Sequence, residues 1–185
     1  MSPRQPTWTD VKAKLADIDS KGLVDLVHGL YGAHKDNKTY LHSRFGLGED
    51  VLEPYKTTIE RWLRPDVYRN QQPSVAKAKQ AIVNYKKAVG DAAGMAELMV
   101  FFCEQSVRFC ADFGFFDEDY LDALMRMFER ALPVVITLPR VARDALFARL
   151  ERAGDTARNF GYGVGDRMNY LLSKYAEDDS GEADK

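Results

Sequence analysis

The chain has 185 residues, 45% of them apolar and 29% charged, with a net charge of −2. That is a globular composition, long enough for one core that hides roughly 70% of the unfolded surface. It excludes a membrane span, because no apolar run approaches about 18 residues, and a chain pI near 6.0 argues against a nucleic-acid footprint.

The first residues, MSPRQPTWTDVK, lack the apolar stretch of a signal peptide, so a cytoplasmic protein is expected, with residues 1–6 unstructured. Trp8, Val11, Leu15 and Ile18 then recur at helical steps, with Thr7 or Thr9 as cap. Ser20 is the expected cap of a second helix, whose stripe is Leu23, Leu26, Val27, Leu30 and Tyr31. The short connection predicts two antiparallel neighbours. Asp36 is expected to cap a short helix with Tyr40, Leu41 and Phe45 inward, and Asp50 the next, with Tyr55, Ile59, Trp62 and Leu63 inward. Pro54 fits its first turn and Pro65 marks its end. RPDVYRNQQP reads as a loop or a single turn.

Ser74 opens a helix carrying Val75, Ala78, Ile82, Tyr85 and Val89, stopped by Gly90. Asp91 opens the most apolar segment of the chain. Met95, Leu98, Met99, Phe102, Phe109, Cys110 and Phe113 form its main stripe, and Val100, Phe101, Cys103 and Val107 cover much of the reverse. A helix apolar almost all round belongs at the centre of its domain. Asp117 caps the next helix, in which Pro133 predicts a kink near Glu129. Pro139 suits the first position of another, and a last helix runs through Met168, Leu171, Leu172 and Tyr175. The charged tail, 176–185, is expected to be unstructured.

No segment alternates with period two. The expectation is an all-α fold: a compact bundle of eight to nine helices around a central apolar helix at about residues 92–113, forming a single domain over 7–175. Helix pairs near 40–47 residues also allow HEAT-like stacking, but no side-chain signature repeats.

Candidate chemistry is thin. Cys103 and Cys110 are seven residues apart on one helix, too far for a disulfide and without C-x-x-C spacing, so both read as buried thiols. His28, His34 and His42 lack the one-turn spacing of helical metal sites, so no metal and no cofactor are expected. Glu104 and Arg108 stand at i,i+4, an ordinary helical ion pair. With Tyr85 and His42 they are the residues of an alternative reading, a polar ligand pocket or enzyme site. NFGYGVGD places its third glycine one residue early for a dinucleotide fingerprint and puts Asp166 where a phosphate would lie, so it reads as a tight connection or a close helix contact.

Charge is unevenly spread. Residues 1–34 hold 4 Lys/Arg against 4 Asp/Glu, residues 35–90 hold 11 against 6, and residues 91–185 hold 11 against 18. The basic middle makes Lys56, Arg61, Lys79 and Lys86 a candidate interaction strip, toward a protein partner or a second copy, with weak nucleic-acid binding through the basic 35–90 region a third reading. The acidic second half is the internal alternative as its partner.

The stretches DNKTYLHSRFG, EPYKTTIERWLRPDV, AIVNYKKAVGD, AELMVFFCEQ and NFGYGVGD, in that order, resemble a family of uncharacterised bacterial proteins over about residues 8–175. The resemblance implies a cytoplasmic helical protein and supplies no activity, cofactor or catalytic residue. The sequence therefore predicts a non-enzymatic helical protein that acts through macromolecular interaction.

Overall fold

The computed structural model describes residues 4–180, and every regular element among them is helical. The α-helices are α1 Trp8–Leu15, α2 Ser20–Ala33, α3 Lys35–Arg44, α4 Glu53–Leu63, α5 Val75–Ala88, α6 Ala92–Phe113, α7 Glu118–Ile136, α8 Arg140–Thr156 and α9 Val164–Ser180. Single 3-10 turns lie at Val67–Arg69 and Ala157–Asn159. No helix among the described residues is long and apolar enough to cross a membrane. Of the segments expected to be unstructured, 1–3 and 181–185 lie outside the described residues, while α9 continues past Tyr175 to Ser180.

The expected central helix is α6. Its front and back are both buried, from Leu98, Val100, Phe102 and Cys103 to Val107, Phe109 and Cys110, because α4, α5, α7 and α8 pack around it. Each large side chain sequestered there is worth about 1.5–3 kcal/mol. Asp91 starts α6 by accepting the Gly94 N–H at 2.8 Å, and Asp117 starts α7 by accepting the Tyr120 N–H at 3.0 Å. Gly114, at φ +62°, ends α6 in the left-handed conformation that glycine adopts without strain. Pro54 sits in the first turn of α4, and α7 runs on through Pro133 to Ile136. Cys103 and Cys110 are free and buried.

Several helix starts differ from expectation. Asp19, not Ser20, caps α2 through the Gly22 N–H at 2.7 Å. His34, not Asp36, caps α3, its Nδ1 accepting the Asp36 N–H at 3.2 Å. Asp50 accepts the Leu52 N–H at 2.7 Å from two residues upstream, and Leu52 itself is the cap position of α4. Pro139 likewise occupies the cap of α8 rather than its first helical residue. Neighbouring residues of similar type compete for the same orphan amides, and the backbone path selects one.

The larger departure is at the N-terminus. The stripes of α1 and α2 predict a packed antiparallel pair, yet neither helix buries a single residue. Among the described residues α1 packs substantially on no other helix, and α2 leans chiefly on α3. α3 in turn rests on α5. The Arg44 guanidinium donates to the Ala88 carbonyl at 3.3 Å, and the Tyr55 hydroxyl donates to the buried Ser43 Oγ at 3.0 Å. Helices α4 to α9 are thus a packed body, and α1–α2 form an arm attached through α3.

Candidate functional site

The four residues of the expected polar pocket do not meet. Glu104 turns away from Arg108 and binds Arg149 of α8, with Nε to Oε1 at 2.8 Å and Nη2 to Oε2 at 2.7 Å. A bidentate guanidinium in a half-buried setting outcompetes an exposed pair one turn along the helix. Arg108 is left on the surface. The buried Tyr85 hydroxyl donates to the Asp91 carboxylate, the same group that caps α6. Burial pushes the Tyr85 phenol well above its ordinary value, and the Asp91 hydrogen bond and charge add to that. His42 is exposed, its Nε2 lying 3.0 Å from the Tyr31 hydroxyl.

Nor does the basic strip remain a strip. Lys56 donates its Nζ to Glu97 at 2.8 Å, with both side chains about one-fifth exposed. It is an internal counter-charge, because the α4–α6 contact brings it over the half-buried Glu97 carboxylate of α6. Arg61 lies against the Trp62 ring, 5.3 Å from its centre. Lys79 turns into a cavity of about 670 Å³ between the starts of α5 and α7. Burial, then the nearby Arg126 and Arg130 charges, lower its pKa. The same cavity holds Asp117, Asp119 and Asp122, and Asp122 pairs with Arg126 at 3.1 Å, so its charge is mixed. Lys86 is exposed near the end of α5. Smaller spaces beside α8 and α9 are lined by other residues, among them Phe147, Glu151 and Ala176.

A polar feature that the structure does assemble is a half-buried relay, Lys56–Glu97–Arg149–Glu104, which ties α4 and α8 to α6. Arg149 also donates to Glu97 at 2.5 Å. Burial alone would raise the Glu97 pKa, but hydrogen bonds from Arg149 and Lys56 reverse that and hold it below its ordinary value. The Glu104 and Glu97 bonds raise the Arg149 pKa despite its burial. These groups neutralise one another, which suits a structural clamp. Sequence reasoning missed Arg149. Its partners lie 45 and 52 residues away, and α8 offers no local signal beyond one basic residue facing inward.

NFGYGVGD forms the expected tight connection. Tyr162 and Gly163 adopt φ +60° and +67°. Gly165 lies so close to the preceding 3-10 turn that a Cβ would come within 2.5 Å of the Arg158 Cα. Gly161, also expected to serve a close contact, has open space instead.

The arm is the most distinctive surface. Of the nineteen exposed large apolar side chains among the described residues, eleven lie between Trp8 and Leu47. In α2, Leu23, Leu26, Val27 and Leu30 share one face at i, i+3, i+4 and i+7, and stand 38%, 42%, 45% and 52% exposed. Trp8 on α1 is 69% exposed and Val24 beside the stripe 67%. Periodicity correctly gives these residues one face. Among the described residues none buries that face.

Comparison with protein-family models, curated sequences and solved structures finds no match to this chain. Its function is therefore argued from its own surfaces.

Proposed function

We propose that this chain is a non-enzymatic, cytoplasmic binding protein that docks another protein chain through the apolar face of α1 and α2. One observation carries the reading: an amphipathic stripe of the kind that helices normally bury stays about half exposed over Leu23–Leu30 of α2. Contiguous apolar surface of this sort marks interaction sites, whereas single scattered residues such as Val141 do not. The self-neutralised relay around Arg149 supports a binding role over a catalytic one. Two free, buried thiols fit a reducing compartment.

A photo-crosslinking amino acid placed at Val24 or at Val141 of the full chain tests this in cells that express it. Docking predicts a defined protein adduct from Val24 and none from Val141. Equal labelling at both positions, or no adduct from Val24, sinks the reading.

A further inference from the structure

We infer that Lys79 is a nucleophilic amine, and that the cavity between α5 and α7 takes a small carbonyl compound with an anionic group, held on Lys79 as a reversible imine. This site is separate from the α1–α2 face and does not depend on it.

The lysines of the chain supply the first observation. Among the described residues every lysine is exposed except Lys56 and Lys79. Lys56 has its carboxylate, the Glu97 group at 2.8 Å. Lys79 is partly buried and pairs with no carboxylate among the described residues. An ammonium drawn out of water without a counter-charge is costly, and the neutral amine gains from that cost. The neutral amine carries the lone pair that attacks a carbonyl carbon.

The second observation is what stands around it. Asp119, Ala123 and Arg126 line the cavity from one face of α7, and Arg130 follows one turn further along the same stripe. The acids of the cavity are mostly committed. Asp117 accepts the Tyr120 N–H at 3.0 Å, and Asp122 holds Arg126 at 3.1 Å. Asp119 lies two turns of α7, roughly 10 Å, before Arg126. Arg130 pairs with no carboxylate among the described residues. Burial first, then the charges of Arg126 and Arg130, disfavour the protonated form of Lys79. A desolvated amine beside other cations is the setting in which lysines form imines.

The ligand class follows from the same groups. The amine lone pair forms the C–N bond, and one amine hydrogen passes to the carbonyl oxygen. That oxygen then leaves as water with the second amine hydrogen, so a C=N bond remains and nothing is oxidised or reduced. A carboxylate or phosphate on the ligand would meet the guanidinium of Arg130 and relieve its unpaired charge. Phe115 and Val75 offer apolar walls to the carbon skeleton. The volume, about 670 Å³, lies within the roughly 300–1,000 Å³ of small-molecule sites.

Reductive trapping on the full chain is the test. Limiting glyoxylate, an aldehyde bearing a carboxylate, is added with sodium cyanoborohydride at neutral pH, and the fixed adducts are mapped by peptide mass spectrometry. Lys79 is expected to carry most of the label. Lys79→Arg should lose that adduct and leave labelling at Lys12, Lys35 and Lys86 unchanged. Arg126→Gln combined with Arg130→Gln should return the label to the exposed lysines, with far-UV circular dichroism unchanged because both arginines are exposed. Acetaldehyde, which has no anionic group, should show no preference for Lys79. Glycolaldehyde phosphate in place of glyoxylate tells whether phosphate or carboxylate is the better handle.

Label spread evenly over Lys79 and the exposed lysines overturns the inference. A preference for Lys79 that persists with acetaldehyde, or in the double arginine variant, overturns the anionic class of ligand.

Discussion

Arg149 on α8 holds Glu104 on α6 through two parallel N–H···O bonds of 2.8 and 2.7 Å, across 45 residues of sequence. The same guanidinium reaches Glu97, which also accepts from Lys56, so one side chain fastens three helices. Arg149→Met keeps much of the aliphatic volume but leaves Glu104 half-buried without its partner. A loss of about 2–4 kcal/mol in urea unfolding is expected. Arg149→Lys, which cannot make the fork, should recover only part of that loss. A Met variant as stable as the wild type would show that the relay is dispensable.

The relay should also appear in acid. Because Glu97 is held below its ordinary value when folded, its contribution is complete above the unfolded carboxyl value. It drains away as the pH falls through the folded value. Melting temperature plotted against pH should therefore fall less steeply on the acid side in Glu97→Gln than in the wild type. Parallel curves below about pH 4.5 would remove Glu97 from the account.

Tyr85 and Gly94 form a second joint, where α5 meets the start of α6. A Cβ on Gly94 would lie 2.0 Å from the Tyr85 hydroxyl and 2.5 Å from its Cζ. Gly94→Ala must displace a buried ring and break its bond to Asp91, with an expected cost of about 2–4 kcal/mol. Tyr85→Phe loses the hydrogen bond but keeps the ring, and should cost only about 1–2 kcal/mol. Thermal unfolding of the two variants side by side should reproduce that order.

The two glycines of NFGYGVGD should separate in the same assay. Gly165→Ala drives a methyl into the backbone of Arg158 and the Ala157 carbonyl, the latter at 2.8 Å, for a loss of about 2 kcal/mol or more. Gly161→Ala meets no atom within 4 Å and should stay within about 0.5 kcal/mol of wild type. Equal effects would contradict the close approach.

Cys103 and Cys110 should be inert in the native protein. Burial raises both thiols, Cys110 to about 12, and neither side chain reaches water. Ellman's reagent should titrate both only after denaturation. Rapid reaction of either thiol in buffer would mean that α6 opens.

Much of the architecture was legible in the sequence because its signals are local. The apolar circumference of the 92–113 segment marks a central helix whatever surrounds it, and Asp91 and Asp117 sit where an N-cap must. The caps at Asp19 and His34 were misplaced because two capable residues lie within reach of the same amides. Arg149 escaped notice because a helical wheel relates residues on one helix, whereas its partners come from another helix. The stripes of α1 and α2 mark apolar faces, but the structure leaves those faces unburied. Periodicity reports which side of a helix is apolar, and the covering partner belongs to tertiary structure or to another molecule.

An arm that lends nothing to the interior is free of the constraint that governs α6. On the docking reading proposed above, a change at Leu26 or Val24 would redirect what the protein meets while the body from α4 to α9 keeps its fold, so drift in this segment would be judged on company alone.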